Sequence, residues 1–204
     1  MKKTLPYFSI GGGVGGNQDW FTDRMMKLGG CAAECACDSS IYFALYREKS
    51  GLYPFDASAL TKEDYIRFSA RMKPYLRPRW SGIDRPQIYI DGYDEYLRGC
   101  GETALFMEAL PGDCDAAQAR EALRGRIDAG FPVPCLMLNH HDPAFGDYEW
   151  HWFLLTGYDD TDDFSVRAVT YGEERWLPFL RLWDTGQQRR GGLILYKERQ
   201  LQSV

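Results

Sequence analysis

The 204-residue sequence predicts an α+β fold in which one central helix packs on a mainly antiparallel β-sheet. Three observations lead there. Ala32, Cys35, Ala36, Ser39, Phe43 and Tyr46 recur at helical spacing, a stripe of small residues that grows bulkier towards its carboxyl end. From Phe131 onward the chain changes to short apolar or alternating runs separated by Gly, Asp and Pro clusters. Helical patterns come first and strand patterns afterwards, the order of an α+β domain rather than of a doubly wound sheet. Hydrophobic content of 45% with 15% aromatics supplies a packed core, and no repeat or low-complexity linker divides the chain. Residues 1–204 therefore read as a single domain, helical over about 17–130 and sheet over about 131–200.

Taken in order, the chain opens with a glycine-rich stretch, after which residues 19–28 form a short helix and residues 31–49 a longer one, ended by Ser50-Gly51. Thr61-Lys62-Glu63-Asp64 is an amino-terminal capping signal for a third helix that runs towards Tyr75 and is stopped by Pro78. Residues 115–129 make another helix, closed by Gly130. Strands follow at 133–138, 151–158, 164–170, 174–177 and 192–196. Residues 50–130 carry no chemical motif, and residues 80–86 form an exposed loop, the kind of segment on which specificity elements sit.

A formal net charge of -5 argues against nucleic acid as a partner. The amino terminus has two lysines but only a broken apolar stretch behind them, so neither a signal peptide nor a membrane span is expected, and a cytoplasmic location is. The six cysteines fit no zinc-ribbon spacing and are expected to be reduced thiols.

Chemistry concentrates at two places. Gly29-Gly30-Cys31-Ala32-Ala33 puts a thiol in the first turn of a helix, where unpaired N–H groups and the dipole favour thiolate and small neighbours leave room for a substrate. A depressed thiol pKa is the expectation. His151 opens the apolar run Trp152-Phe153-Leu154-Leu155-Thr156-Gly157-Tyr158, which reads as a buried strand. A thiol on an early helix and an imidazole on a late strand meet only through the fold, with sulfur and nitrogen expected about 3 to 4.5 Å apart. The bland alternative is an inert core cysteine and a satisfied core histidine.

Other patterns weigh less. Gly11, Gly13 and Gly16 have dinucleotide-loop spacing without the surrounding strand-loop-helix unit, and read better as a mobile glycine-rich lid or an entry loop. His140-His141-Asp142 supplies metal-ligand types without metal-ligand spacing: adjacent histidines point apart, so solvated loop side chains are expected, and neither metal nor cofactor. Asp159-Asp160-Thr161-Asp162-Asp163 lacks the glycine and glutamate of a calcium loop and reads as a solvated hairpin turn. Upstream of the thiol, Gln18 is the candidate oxyanion donor and Asn17 the candidate helix cap, with the roles open to exchange.

Gly16-Asn17-Gln18-Asp19-Trp20, Gly29-Gly30-Cys31-Ala32-Ala33, the His151–Asp159 run and Val169-Thr170-Tyr171-Gly172 together resemble the papain-like cysteine peptidase superfamily, in particular the bacterial branch related to the C39-type peptidases. The likeness covers roughly residues 16–46 and 131–197 and rests on no single specific motif. It implies a papain-like fold, a nucleophilic Cys31, a general base His151, a glutamine (here Gln18) in the oxyanion hole, and an Asn or Asp on the next strand that orients the histidine. Two departures stand out. The glutamine is farther from the cysteine than in papain, and no Asn or Asp occupies the orienting place. Residues opposed in an antiparallel pair share a face, so an even total of paired residue numbers brings Val169 or Tyr171 to His151 and an odd total brings Thr170. Thr170 is the first candidate and Asp184 a longer reach. Three functions follow: a cysteine-dependent hydrolase, peptidase or amidase, working on a peptide or amide-containing substrate through an acyl-enzyme; an acyltransferase of natural-product biosynthesis using the same dyad; or a non-catalytic relic of the fold that binds peptides.

Overall fold

A computed structural model describes residues 1–80 and 82–199. It is α+β. In chain order the elements are β1 (Lys2–Thr4), β2 (Ser9–Ile10), β3 (Gly13–Val14), α1 (Arg24–Gly29), α2 (Cys31–Tyr46), α3 (Lys62–Met72), α4 (Pro86–Gly99), β4 (Leu105–Pro111), α5 (Ala116–Asp128), β5 (Val133–Met137), β6 (His151–Asp159), β7 (Ser165–Thr170), β8 (Glu173–Pro178), α6 (Phe179–Trp183) and β9 (Gly192–Glu198). Among the described residues seven strands form one sheet, in the order β4-β9-β5-β6-β7-β8, with β1 also pairing to β6. Every pair in it is antiparallel. No described helix is long and apolar enough to cross a membrane.

The sheet reaches further back in the chain than expected, because β1 and β4 both precede residue 131. β4 hides in the sequence as Leu105-Phe106-Met107-Glu108-Ala109-Leu110-Pro111, an edge strand with an exposed glutamate and a terminal proline, where a missing N–H costs nothing. α4 is masked by Gly92 in its middle. A β-carbon there would lie 2.2 Å from the Tyr75 carbonyl oxygen, so glycine is needed for close approach, while Tyr89, Tyr93, Tyr96 and Leu97 keep the helical spacing of a buried face.

Residues 19–28 are not one helix. Asn17 caps a single 3-10 turn over Gln18–Trp20, the chain then extends so that Phe21 enters the core, and Asp23 caps α1 by accepting from Met26 N at 3.0 Å. Two capping side chains within seven residues make two short helices. α2 stops at Tyr46 rather than Lys49, and every residue from Cys31 to Phe43 is buried. A helix covered all round carries little amphipathic signal; its Ala32, Ala33, Ala36, Ser39 and Ser40 are what let neighbours approach from every side.

The glycine-rich stretch is tied down, not a mobile lid. β2 and β3 form a hairpin turning through Gly11 and Gly12, both at positive φ (60° and 89°). Behind it the buried Asp38 carboxylate of α2 accepts from Gly16 N at 3.1 and 3.2 Å, from Tyr7 Oη at 2.9 Å and from Tyr65 Oη at 2.8 Å. A buried carboxylate with that many donors is a structural clamp. The hairpin also holds the turn after β7, through Val14 N donating to the Gly172 carbonyl at 2.8 Å.

The pairing of β6 with β7 contains one irregularity. Tyr158 opposes Val166 and Gly157 opposes Arg167, but past Thr156 the partners are Leu155 with Ala168 and Leu154 with Val169. One extra residue in β6 is a bulge, and it changes the total of paired residue numbers from even to odd. From that point towards His151 the odd pairing holds, which puts Thr170 on the imidazole's face.

Candidate active site

Gly30 alone separates α1 from α2. A β-carbon at this position would lie 2.3 Å from the Met26 carbonyl oxygen, so glycine is required for the reversal that starts α2 at Cys31. No side chain caps this helix end, and the backbone N–H groups of Trp152, Ala32 and Cys31 favour charge on the sulfur. Burial outweighs them. It pushes the Cys31 thiol up to about 11, with the Glu34 carboxyl adding to the rise. The expected depressed thiol is therefore corrected: the sulfur sits between α2 and β6, and loss of water there costs the thiolate more than the helix end returns. Cys35, Cys37 and Cys135 are also buried with raised thiols, and all six cysteines are free.

His151 is the first residue of β6 and follows Trp150, whose φ is 52°. Its Nε2 lies 2.7 Å from Thr170 Oγ1. Tyr171 lies flat against the ring, with centroids 4.7 Å apart and planes 4° apart, and its hydroxyl is 3.5 Å from Nδ1. Burial lowers His151 to about 4, so the ring is neutral at neutral pH. The tautomer that donates Nε2–H to Thr170 leaves Nδ1 as the proton acceptor. Among the described residues no hydrogen bond joins the ring to the Cys31 sulfur, so the resting pair is a neutral thiol and a neutral imidazole with Tyr171 at Nδ1. Among the described residues three non-glycine residues have positive φ, and two of them, Trp150 and Tyr171, adjoin the imidazole. Backbone strain of this kind collects at functional sites.

Gln18 lines the same cleft as Cys31 and His151. Its Nε2 donates to the Lys27 carbonyl at 3.0 Å, and its Oε1 is buried with no partner among the described residues. The amide keeps one N–H beyond the Lys27 bond, which is what an oxyanion donor needs. Asn17 is the cap: its Oδ1 accepts from Asp19 N and its Nδ2 donates to the Tyr171 carbonyl, both at 2.8 Å. Glu34, one turn below Cys31, accepts from Tyr171 N at 3.3 Å and from the Gln18 backbone. Burial pushes this carboxyl well above its ordinary value, with Asp38 adding to the effect.

Sequence pattern alone marks neither Tyr171 nor Glu34 as a site residue. The signal for Glu34 was there, a charged residue inside a stripe of small ones. Tyr171 was visible only as a register alternative, and the Tyr-Gly turn does not show where its ring lies. Asp184 does not orient the imidazole; it ends α6, three-quarters exposed, 3.9 Å from Arg190. His140 and His141 neither point apart nor lie solvated together. Their rings stack 5.1 Å apart, and His140 is buried, with Nε2 2.9 Å from the Arg181 carbonyl and Nδ1 accepting from Asp142 N at 2.9 Å. Among the described residues no three metal-ligating side chains gather.

Cys31 keeps 8% of its exposure and His151 3%, and both line a cleft of about 480 Å³ together with Gln18, Trp80, Trp150 and Tyr171. A second cleft of about 500 Å³ also includes Tyr171; it reaches Thr170 and is walled by Asp19, Asp147 and Glu173, with Arg175. Tyr171 thus borders both. Comparisons of the chain with protein families, curated proteins and solved structures find no match.

Proposed function

We propose that this chain is a cysteine-dependent hydrolase of peptide or amide bonds, with a papain-like arrangement of Cys31 at a helix start and His151 on the adjoining strand. The observation that carries the reading is their convergence, with Gln18, on one cleft from distant parts of the sequence. In the step envisaged, Nδ1 of His151 takes the thiol proton as the sulfur bonds to the substrate carbonyl. The C–N bond then breaks, the proton passes from His151 to the leaving amine, and water cleaves the thioester. Because the thiol is raised and the imidazole lowered, proton transfer accompanies attack instead of preceding it. Thr170 steadies the ring as it becomes charged, and the Gln18 amide receives charge on the carbonyl oxygen.

The second cleft favours a second reading, transfer of the acyl group to an amine. Three carboxylates against one arginine suit a cationic acceptor approaching from the far side of Tyr171. The test is intact-mass analysis after mixing the protein with the p-nitrophenyl ester of an N-acyl amino acid. One acyl adduct on Cys31, absent in Cys31→Ala and slow in His151→Ala, is the expected result. Uniform labelling of several cysteines, or none, would remove the catalytic reading and leave peptide binding. Added diamines that shorten the adduct's lifetime would favour transfer.

A further inference from the structure

Among the described residues seven large hydrophobic side chains are exposed, and four of them, Leu28, Trp80, Trp150 and Tyr171, line the Cys31 cleft. Scattered apolar exposure needs no explanation, but its collection around one opening marks a binding surface. Trp80 stands 98% exposed at the rim. An adjoining hollow of about 300 Å³ shares Leu28, Gly29, Arg79 and Trp80 with the cleft and extends it to Arg24 and Met25. Arg24 and Arg79 are both exposed, and the carboxylates beside them along the chain are engaged elsewhere, Asp23 with Lys73 and Asp84 with Arg85 and Arg189. Beyond Met25 the surface continues past the Lys73–Asp23 pair to Arg77. The cleft's own carboxylate, Glu149, is held by His140 N at 2.6 Å. A chain of net charge -5 thus presents a cationic margin beside an apolar mouth.

We propose, on the basis of the acyl-enzyme reading above, that the substrate is an amphipathic anion: an acyl compound whose apolar part packs on Leu28, Trp80 and Trp150 and whose carboxylate or phosphate is received by Arg24 and Arg79. Guanidinium groups pair with both anions through two parallel N–H bonds, and an apolar wall beside them strengthens the attraction by excluding water. The apolar part lies on the Cys31 side and the anionic group on the outer side, because the tryptophans line the cleft itself and Arg24 belongs only to the hollow beyond it.

The experiment measures binding without catalysis. Cys31→Ala protein is titrated with 6-phenylhexanoate, 6-phenylhexyl phosphate and the neutral 6-phenylhexanamide, following tryptophan fluorescence. At least one anion should bind about ten-fold or more tighter than the amide, and Arg24→Gln/Arg79→Gln should reduce the preference to within about two-fold. The tighter anion identifies carboxylate or phosphate as the group recognised. In wild-type protein the same anion should slow alkylation of Cys31 by iodoacetamide. Equal binding of the amide, a preference that survives the double substitution, or unprotected Cys31 would overturn the proposal. A failed acyl-enzyme reading shows up separately, as missing acylation of wild-type Cys31 by the nitrophenyl ester.

Discussion

Thr170→Val removes the one hydroxyl that contacts Nε2 of His151, at 2.7 Å, and keeps a β-branched side chain of similar size. At rest that bond holds a neutral ring; in the proposed attack it would hold an imidazolium, which gains more from an oxygen partner. A hydrogen bond to a charged group contributes about 1.5 to 3 kcal/mol against about 0.5 to 1.5 for a neutral one, so attack loses about 1 to 1.5 kcal/mol and, at 1.36 kcal/mol per ten-fold in rate, acylation should slow by about 5- to 10-fold. Burst release of nitrophenolate from the ester used above reads that step, and Thr170→Ser, which restores the hydroxyl, should recover most of it. Asp184→Asn should change nothing, because that carboxylate lies at the surface beside Arg190. If Thr170→Val acylates within about two-fold of wild type while His151→Ala does not acylate, the ring is held by Tyr171 and the backbone, and the assignment of Thr170 fails.

Three further outcomes follow from the burial of the site. Alkylation of Cys31 by iodoacetamide should accelerate about ten-fold per pH unit from pH 6 to 9, since its thiol stands at about 11; a plateau below pH 8 would instead reveal a preformed ion pair with His151. His151 titrates at about 4 when folded against 6.5 ordinarily, so the unfolded chain takes up its proton first and this residue lowers stability as pH falls from about 6.5 to about 4. Asp38, raised from 3.8 to about 6, acts with the opposite sign: the folded chain is protonated first, and stability is gained as pH falls from about 6 to 3.8. His151→Gln removes the first contribution, so it should gain up to about 3 kcal/mol relative to wild type between pH 7 and pH 4 in urea unfolding, and a pH-independent difference would show that the buried imidazole is not depressed. Gly16→Ala would set a β-carbon 1.9 Å from the Tyr65 hydroxyl and should cost about 2 kcal/mol or more by prising Tyr65 from Asp38; an unchanged denaturation midpoint would show that the clamp yields.

Much of the arrangement was legible in the residues themselves. Thr61, Asp115 and Gly130 mark helix ends because capping and positive φ are local requirements, and α3, α5 and β5 to β9 fall within a few residues of their expected bounds. Cys31 and His151 were nameable as candidates because few residue types can serve as nucleophile and base. What sequence did not supply was burial. The pull of a helix end on a thiol is a local rule, whereas desolvation by β6 is tertiary, and here it wins. The same holds for His140, a polar residue in a loop that becomes a buried bridge between the Asp142 turn and α6. Helix spacing lost α4 to Gly92 and the full burial of α2 to its small residues, both cases in which close approach displaces the usual pattern.

The bulge at Thr156 makes the site sensitive to counting. Were Thr156 drawn into the ladder opposite Ala168, the even pairing seen at Gly157 and Tyr158 would persist to the end of the strand, and Val169 and Tyr171 would share the imidazole's face in place of Thr170. Deleting residue 156 leaves Leu155 opposite Ala168 and so keeps the hydroxyl at Nε2, whereas flattening the bulge with the residue in place withdraws it while His151 and Thr170 stay unaltered. The histidine's partner is therefore chosen by whether one residue, five positions away, stands outside the ladder, and not by the letter at position 170 alone.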